Sequence, residues 1–368
     1  MSELRPLHQA PNELASAPPG SERPGPWVPS GTPREARTAA RDGVPPPHIA
    51  DLVAKIKESA EQMASQRASR GDLKILSRTL RELGYAFKVF TPYRGCRKVT
   101  VFGSARTPPE APAYQHAVAF GRAMAQEGWL VVTGAASGIM EAGHVGAGRE
   151  KSMGLNIILP FEQAANHVIA GDRKLVYMKY FFTRKLMFVK ESHAVCLLPG
   201  GFGTLDEGLE VLTLLQTGKR DMMPVVLLDE PGGDYWSELT RFFEKRLVAR
   251  GLISPEDLSL YKRTDRVEEA VGEIMRFYRV YQSMRHVRGQ LVVRLSERLG
   301  GHRLEEVNRQ FADLLAGGRF ELSGPLPEER DEPDLAHLPR LVFAFNHRSP
   351  GRLRHLIDWL NAGDGSLD

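Results

Sequence analysis

The run Pro199-Gly200-Gly201-Phe202-Gly203-Thr204-Leu205-Asp206-Glu207 joins residues suited to holding an anion to one that could act beside it. Glycines let backbone N–H groups approach a ligand closely, and the N-terminus of a following helix supplies about half a positive charge. A phosphate is the natural occupant, with the Thr204 hydroxyl as an added donor. Two earlier stretches have the same character, Gly103-Ser104 and Thr133-Gly134-Ala135-Ala136-Ser137-Gly138. Each of the three follows a short apolar run. In an open parallel sheet the ligand lies beyond the carboxyl ends of the strands, so three such stretches at one edge predict a binding site and not three unrelated turns.

Glu207 supports two readings. Three residues after Thr204 it fits a capping box, reaching back to a backbone N–H at the start of a helix over Leu205–Leu215. In the first turn of that helix its side chain also leans toward the N-terminus, into the cleft of the phosphate loop. The helix dipole would keep it ionised, and a fixed anion beside a sugar phosphate suits an oxocarbenium-like transition state. Arg184 opens a helix (Arg184–Glu191) just before the strand that leads into the loop, and this order of elements can return it to the loop's rim. His144 and His193 read as structural histidines, and Met187 and Phe188 as core residues.

Other phosphate chemistries fit poorly. The dinucleotide fingerprint needs a third glycine that Gly201-Phe202-Gly203 lacks, and it follows the first strand of its domain. Gly218-Lys219 is followed by Arg220, with no Ser or Thr for magnesium, so it is no Walker loop. The chain has 49 basic and 45 acidic residues, a net charge of +4, which with no dense Lys/Arg run argues against nucleic acid. Two cysteines, Cys96 and Cys196, make neither a disulfide framework nor a metal motif. No stretch approaches the roughly 20 apolar residues of a membrane span. A cytoplasmic location is expected, with no metal or cofactor and no membrane or nucleic-acid partner.

The elements that must position these residues follow from the apolar pattern. Candidate strands are Val99–Phe102, Trp129–Val132, Gly154–Leu159, His193–Leu198 and Pro224–Leu228, separated by helices including Tyr114–Gln126 and Trp236–Ala249. Apolar strands alternating with amphipathic helices predict an α/β fold, a Rossmann-like doubly wound parallel sheet. We place this catalytic, nucleotide-binding domain at residues 96–282. Residues 1–47 hold 11 of the 25 prolines, with five arginines balanced by five acidic residues, and read as a disordered tail. Residues 48–95 read as helices around the breaker Gly71. Residues 283–368 read as a small α+β appendage, with strands Gln290–Leu295 and Arg340–Phe345, helices Leu304–Leu315 and Arg352–Asn361, and a Pro- and acid-rich linker at Pro325–Pro333.

With these residues assembled, the chain resembles the Lonely Guy family. Pro199–Glu207 matches its PGGxGTxxE motif, and Arg184-Lys185 matches its Arg-Lys element. Gly103-Ser104-Ala105-Arg106 and Gly138-Ile139-Met140-Glu141-Ala142 resemble its two earlier loops, and Gly154-Leu155-Asn156-Ile157, Leu159-Pro160, Glu162-Gln163 and Asn166 its longer bacterial branch. The resemblance covers roughly Lys98 to Tyr281. It implies hydrolysis of cytokinin riboside 5′-monophosphates or AMP to free base and ribose 5-phosphate. Glu207 and Arg184 would be the catalytic pair, and Gly200, Gly201, Gly203 and Thr204 would hold the phosphate, beside Gly103, Ser104, Gly134, Gly138 and Pro199. It also implies a homodimer or higher homo-oligomer. The family's older label, lysine decarboxylase, finds no pyridoxal phosphate lysine here. One departure is Gly134-Ala135-Ala136-Ser137, where the family often has glycines; the added methyl groups are expected to narrow the approach to ribose or base. The rival reading is a non-catalytic nucleotide or cofactor carrier on the same fold, a class that usually lacks the Arg and Glu pair.

Overall fold

A computed structural model of the protein describes residues 49–159 and 164–363. The Pro-rich segment 1–47 lies outside the described residues, as do Pro160 and Glu162-Gln163 of the motif. One compact unit ends at Leu73 and a second begins at Lys74. In the first, helix α1 (Ala50–Ser65) buries no residue, and α2 (Arg70–Phe90) begins there. The break between them is not at Gly71, which lies inside α2. It falls at Gln66–Ser69, where Arg67 takes φ 60° and Ser69 exchanges hydrogen bonds with Asp72. A Ser with an acidic residue three positions on is a stronger helix start than a lone glycine is a stop.

The second unit carries a seven-stranded sheet in the order β4-β3-β2-β1-β5-β6-β7, every pairing parallel. Its strands are β1 (Lys98–Phe102), β2 (Leu130–Thr133), β3 (Ser152–Ile157), β4 (Leu175–Met178), β5 (Ala194–Leu197), β6 (Val225–Leu228) and β7 (Lys262–Thr264). Helices α3 (Pro112–Gln126), α4 (Ile139–Lys151), α5 (Phe181–Glu191), α6 (Phe202–Gln216), α7 (Tyr235–Phe242) and α8 (Val267–Phe277) lie between them. The strands read as continuous apolar runs because both faces are covered. Val195 and Leu197 enter one core with Phe102 and Leu130; Ala194, Cys196 and Leu198 enter the opposite core with Val99 and Val101. The strand order runs outward in both directions from the β1–β5 pair, which is the topological switch point where open α/β sheets bind ligands.

A four-stranded antiparallel sheet follows, in the order β10-β11-β9-β8, from β8 (Tyr281–Val287), β9 (Gln290–Leu295), β10 (Leu315–Ser323) and β11 (Arg340–Phe345). Helices α9 (Gly301–Gln310) and α10 (Pro350–Ala362) accompany it. Leu291, Val293, Leu341 and Phe343 share one continuous core with Phe102 and Leu197 of the parallel sheet. The helix expected to reach Leu315 ends at Gln310, and Leu315 opens β10, a strand that Gly317-Gly318 conceals from a pattern reading. The helix expected over Trp236–Ala249 is regular only to Phe242; a π turn and a 3-10 turn complete it before Gly251 at φ 67°. The acid-rich linker is pinned to the sheet by the buried Glu329 carboxylate, 2.6 Å from Arg294 and 3.2 Å from Arg340.

Helices α3 and α4 approach through glycines. A methyl group on Gly121 would lie 2.4 Å from the Gly143 carbonyl oxygen, and one on Gly146 2.0 Å from that of Val118. Backbone cannot yield as a side chain does. Gly121→Ala is therefore expected to cost about 1–3 kcal/mol of stability, the usual range for overpacking, seen as a lower urea midpoint at an unchanged slope.

Candidate active site

The loops that follow β1, β2 and β5 interlock at the switch point. Ser104 N–H donates to the Pro199 carbonyl (3.1 Å), and Ile139 N–H donates to the Ser104 carbonyl (3.0 Å). No side chain fits at the crossings. A Cβ on Gly200 would lie 2.2 Å from Thr204 Oγ1 and 2.9 Å from Ser104 N; one on Gly138, where φ is +66°, would lie 2.3 Å from the Ser104 carbonyl oxygen. Gly201 and Gly203 have open space instead, so their backbone is left bare to a ligand.

These loops enclose a cleft of about 810 Å³, a size suited to a nucleotide. Gly103, Ser104, Gly134, Gly200, Gly201, Gly203, Thr204, Arg184 and Glu207 all line it, together with Arg106, Met140 and Phe188. Pro199 lines a neighbouring cleft of about 410 Å³, and Gly138 lines neither, serving the crossing of the loops. Phe188, read from sequence as core, is both: it is 2% exposed, packs edge-on against Phe102, and forms part of the cleft wall. The methyl groups of Ala135 and Ala136 do not narrow the cleft. Both are buried away from it, Ala135 at φ 58° against Ile169 and Leu175, and Gly134 alone represents that loop in the wall.

Helix α6 begins at Phe202 with Gly201 as its N-cap, three residues earlier than expected. Two consequences follow for Glu207. Thr204 lies inside the helix and no side chain caps it, so the capping-box reading is removed. Glu207 also falls in the second turn, beyond the reach of the helix dipole, which fades within the first. The expectation that the dipole keeps it ionised is reversed: burial pushes its carboxyl up from 4.5 to about 7. Lys185 and Arg184 oppose that rise, while Glu210 and Asp206 add to it.

Arg184 stands in the first turn of α5, its Nη2 3.8 Å from Glu207 Oε1, with Phe181 and Phe188 rings 5.0 and 5.7 Å from its guanidinium carbon. Burial lowers its pKa against the pull of Glu207. Its Nε is buried and has no hydrogen-bond acceptor among the described residues, which leaves a donor for a ligand. Lys185 is the member of the site whose part the sequence left unstated. Its Nζ reaches Glu210 (2.6 Å), Asp206 (2.9 Å) and Glu207 (3.5 Å). Burial works against its charge, but the Glu210 and Asp206 carboxylates outweigh this and hold it above its ordinary value. The pairing of Lys185 with the i−1 and i+3 neighbours of Glu207 required the position of α5 beside α6, which no local pattern encodes.

The two histidines are structural. His144 is fully buried between Thr133, Asn166 and the Met153 carbonyl, and desolvation lowers it to about 4. His193 accepts the Lys98 N–H through Nδ1 and is lowered to about 3, chiefly by burial. Among the described residues no group of three or more His, Cys, Asp or Glu is arranged to hold a metal ion, and no helix is long and apolar enough to cross a membrane.

The raised Glu207 pKa makes stability depend on pH. The folded state binds this proton more tightly than the unfolded chain, so its contribution is full below about 4.5 and is lost as pH rises through about 7. Glu207→Gln removes the penalty of burying the charge. The variant is expected to melt with the wild type at pH 5 and above it at pH 8; a melting difference independent of pH would contradict the raised value.

Comparison with known proteins places similar sequences over the region that holds this site. A family model described as "Possible lysine decarboxylase" matches residues 133–274. The probable cytokinin riboside 5′-monophosphate phosphoribohydrolase LOGL5 of Oryza sativa subsp. japonica is 34% identical over 165 residues, 43% of this chain and 63% of that protein. LOG3 of Arabidopsis thaliana, named as the same phosphoribohydrolase, is 40% identical over 91 residues, 25% of this chain and 40% of that protein. The chain thus spans less than two thirds of these plant relatives. The Mycobacterium tuberculosis (strain ATCC 25618 / H37Rv) protein of that name is 27% identical over 172 residues, 45% of this chain and 88% of its own length. Among solved structures, the molybdenum cofactor carrier protein of Chlamydomonas reinhardtii covers 49% of this chain and 96% of its own, with a TM-score of 0.35 and 21% identity. The Pro199–Glu207 motif, the Arg184-Lys185 pair and these sequence relatives make the chain similar to the Lonely Guy family over residues 133–274.

Proposed function

We propose that the protein hydrolyses the N-glycosidic bond of a nucleoside 5′-monophosphate, AMP or a cytokinin riboside monophosphate, to free base and ribose 5-phosphate. The observation that carries this reading is the meeting, in one cleft, of a bare glycine loop at a helix N-terminus with a buried carboxyl and a buried guanidinium. The loop anchors the 5′-phosphate through the first-turn N–H groups of α6 and the Thr204 hydroxyl, so binding energy remote from the reacting carbon holds the sugar in place.

Glu207 acts in its ionised form. It stabilises positive charge on the ribose as the C1′–N bond breaks and draws the proton from the attacking water, which becomes the new C1′ hydroxyl; the departing nitrogen takes up a proton. A carboxyl titrating near 7 suits a base that works at neutral pH. Arg184 offers its free Nε–H to the substrate and balances the Glu207 charge from 3.8 Å. The chain acts as a homo-oligomer, a reading supported by Phe181, Phe182 and Leu186, large apolar side chains about half exposed on the helix that carries Arg184.

Incubation with AMP, GMP, CMP, UMP and isopentenyladenosine monophosphate, with free base followed by chromatography, tests the activity and ranks the bases. Binding of a nucleotide with no release of base would make the protein a carrier. Glu207→Gln is expected to abolish turnover while nucleotide affinity by calorimetry stays within a few-fold. Glu210→Gln frees Lys185 for Glu207 and removes a nearby negative charge. The rising limb of the pH profile of kcat/KM should then move below its wild-type position near 7; a shift upward would count against this charge arrangement.

A further inference from the structure

The two clefts at the switch point share a wall, formed by Ser104, Arg106 and Gly200. Behind that wall, in the smaller cleft, the Tyr235 hydroxyl donates to the Gly200 carbonyl oxygen at 2.6 Å. Tyr235 is the first residue of α7 and lies 35 positions from its acceptor. The structure assigns Tyr235 as a positioning residue for the phosphate loop: its hydrogen bond fixes the Gly200–Gly201 peptide so that the Gly201 N–H faces the anion in the larger cleft. This rests on the phosphate reading of that cleft.

The chain contains no cis peptide bond among the described residues, so the carbonyl of Gly200 and the N–H of Gly201 belong to one plane and point in opposite directions. A bond drawing the carbonyl toward the smaller cleft therefore turns the N–H toward the larger one, which Gly201 lines while remaining outside the other. The peptide needs such a fixture. A Cβ placed on Gly201 would meet nothing within 4 Å, and glycine otherwise lets a peptide plane rotate at little cost. Tyr235 is itself held: its ring packs edge-on against Trp236, 4.8 Å between centroids, and the Trp236 N–H and indole N–H are bound by the Asp229 carboxylate (3.0 Å) and the Leu228 carbonyl (3.2 Å). Phenylalanine keeps the ring packing and loses only the hydroxyl.

Calorimetric titration of ribose 5-phosphate into the wild-type protein and Tyr235→Phe, with steady-state kinetics on AMP, tests the assignment. The Kd for ribose 5-phosphate and the KM for AMP are expected to rise about 3- to 10-fold, the scale of one hydrogen bond, while kcat changes less than twofold and the melting temperature stays within a few degrees. Equal ribose 5-phosphate affinity in the two proteins would overturn the assignment while leaving the phosphate site standing. So would a loss confined to kcat and melting temperature, which marks a purely structural tyrosine. Failure of the wild-type protein to bind ribose 5-phosphate would overturn the phosphate reading and the assignment with it.

Discussion

Strands β1 and β5 lie side by side at the centre of the sheet, and the loops that leave them touch without any side chain between. The Ser104–Pro199 hydrogen bond and the glycines at 138 and 200 bring three chain segments within van der Waals distance at a single point. Arg184 and Glu207 line the cleft that opens at that crossing. It sets the start of α6 at Phe202, which leaves the Phe202 and Gly203 N–H groups without an intrahelical acceptor beside the cleft and carries Glu207 into the second turn. A side chain at either glycine would separate the loops and move the helix that carries the carboxyl.

Placing Glu207 that deep creates an electrostatic problem that the neighbouring helix answers in part. A carboxylate removed from water needs cations, and α5 provides two in succession, Arg184 and Lys185. Neither is given over entirely to it. Lys185 is shared with Asp206 and Glu210, and Arg184 keeps one N–H in reserve. Partial compensation is what leaves the carboxyl poised near neutrality; full pairing would hold it ionised at every physiological pH, and no pairing would hold it protonated.

The sheet was legible because its strands are runs such as Val99–Phe102 and Val225–Leu228, buried on both faces and apolar throughout. Strands with other physics escaped. β7 is the polar edge segment Lys-Arg-Thr, and β10 hides behind paired glycines and register shifts. β4 follows a charged turn, Asp172-Arg173-Lys174, in which Asp172 and Lys174 form an ion pair. The glycine loops and the Arg184/Glu207 pair could be read because loop residues advertise backbone conformation and the motif is local. The state of Glu207 could not, since burial depends on a helix contributed from elsewhere in the chain, and α6 starts three residues before the apolar pattern does, which takes Glu207 out of the dipole's reach. The bond from Tyr235 to Gly200 joins the start of α7 to the loop after β5 and leaves no trace in either segment.

Asn361, near the end of the last helix, accepts the backbone N–H groups of Val280 and Tyr281 and donates to the Phe277 carbonyl. Those three residues sit where α8 hands the chain on to β8, so these polar groups of the junction are satisfied only when α10 is in place. During synthesis at about 5–20 residues per second, Asn361 follows Tyr281 by roughly 4–16 s. For that interval the Val280 and Tyr281 N–H groups are without the acceptor they have in the folded chain. The turn from the parallel sheet into the antiparallel one is therefore closed by a residue 80 positions downstream of Tyr281.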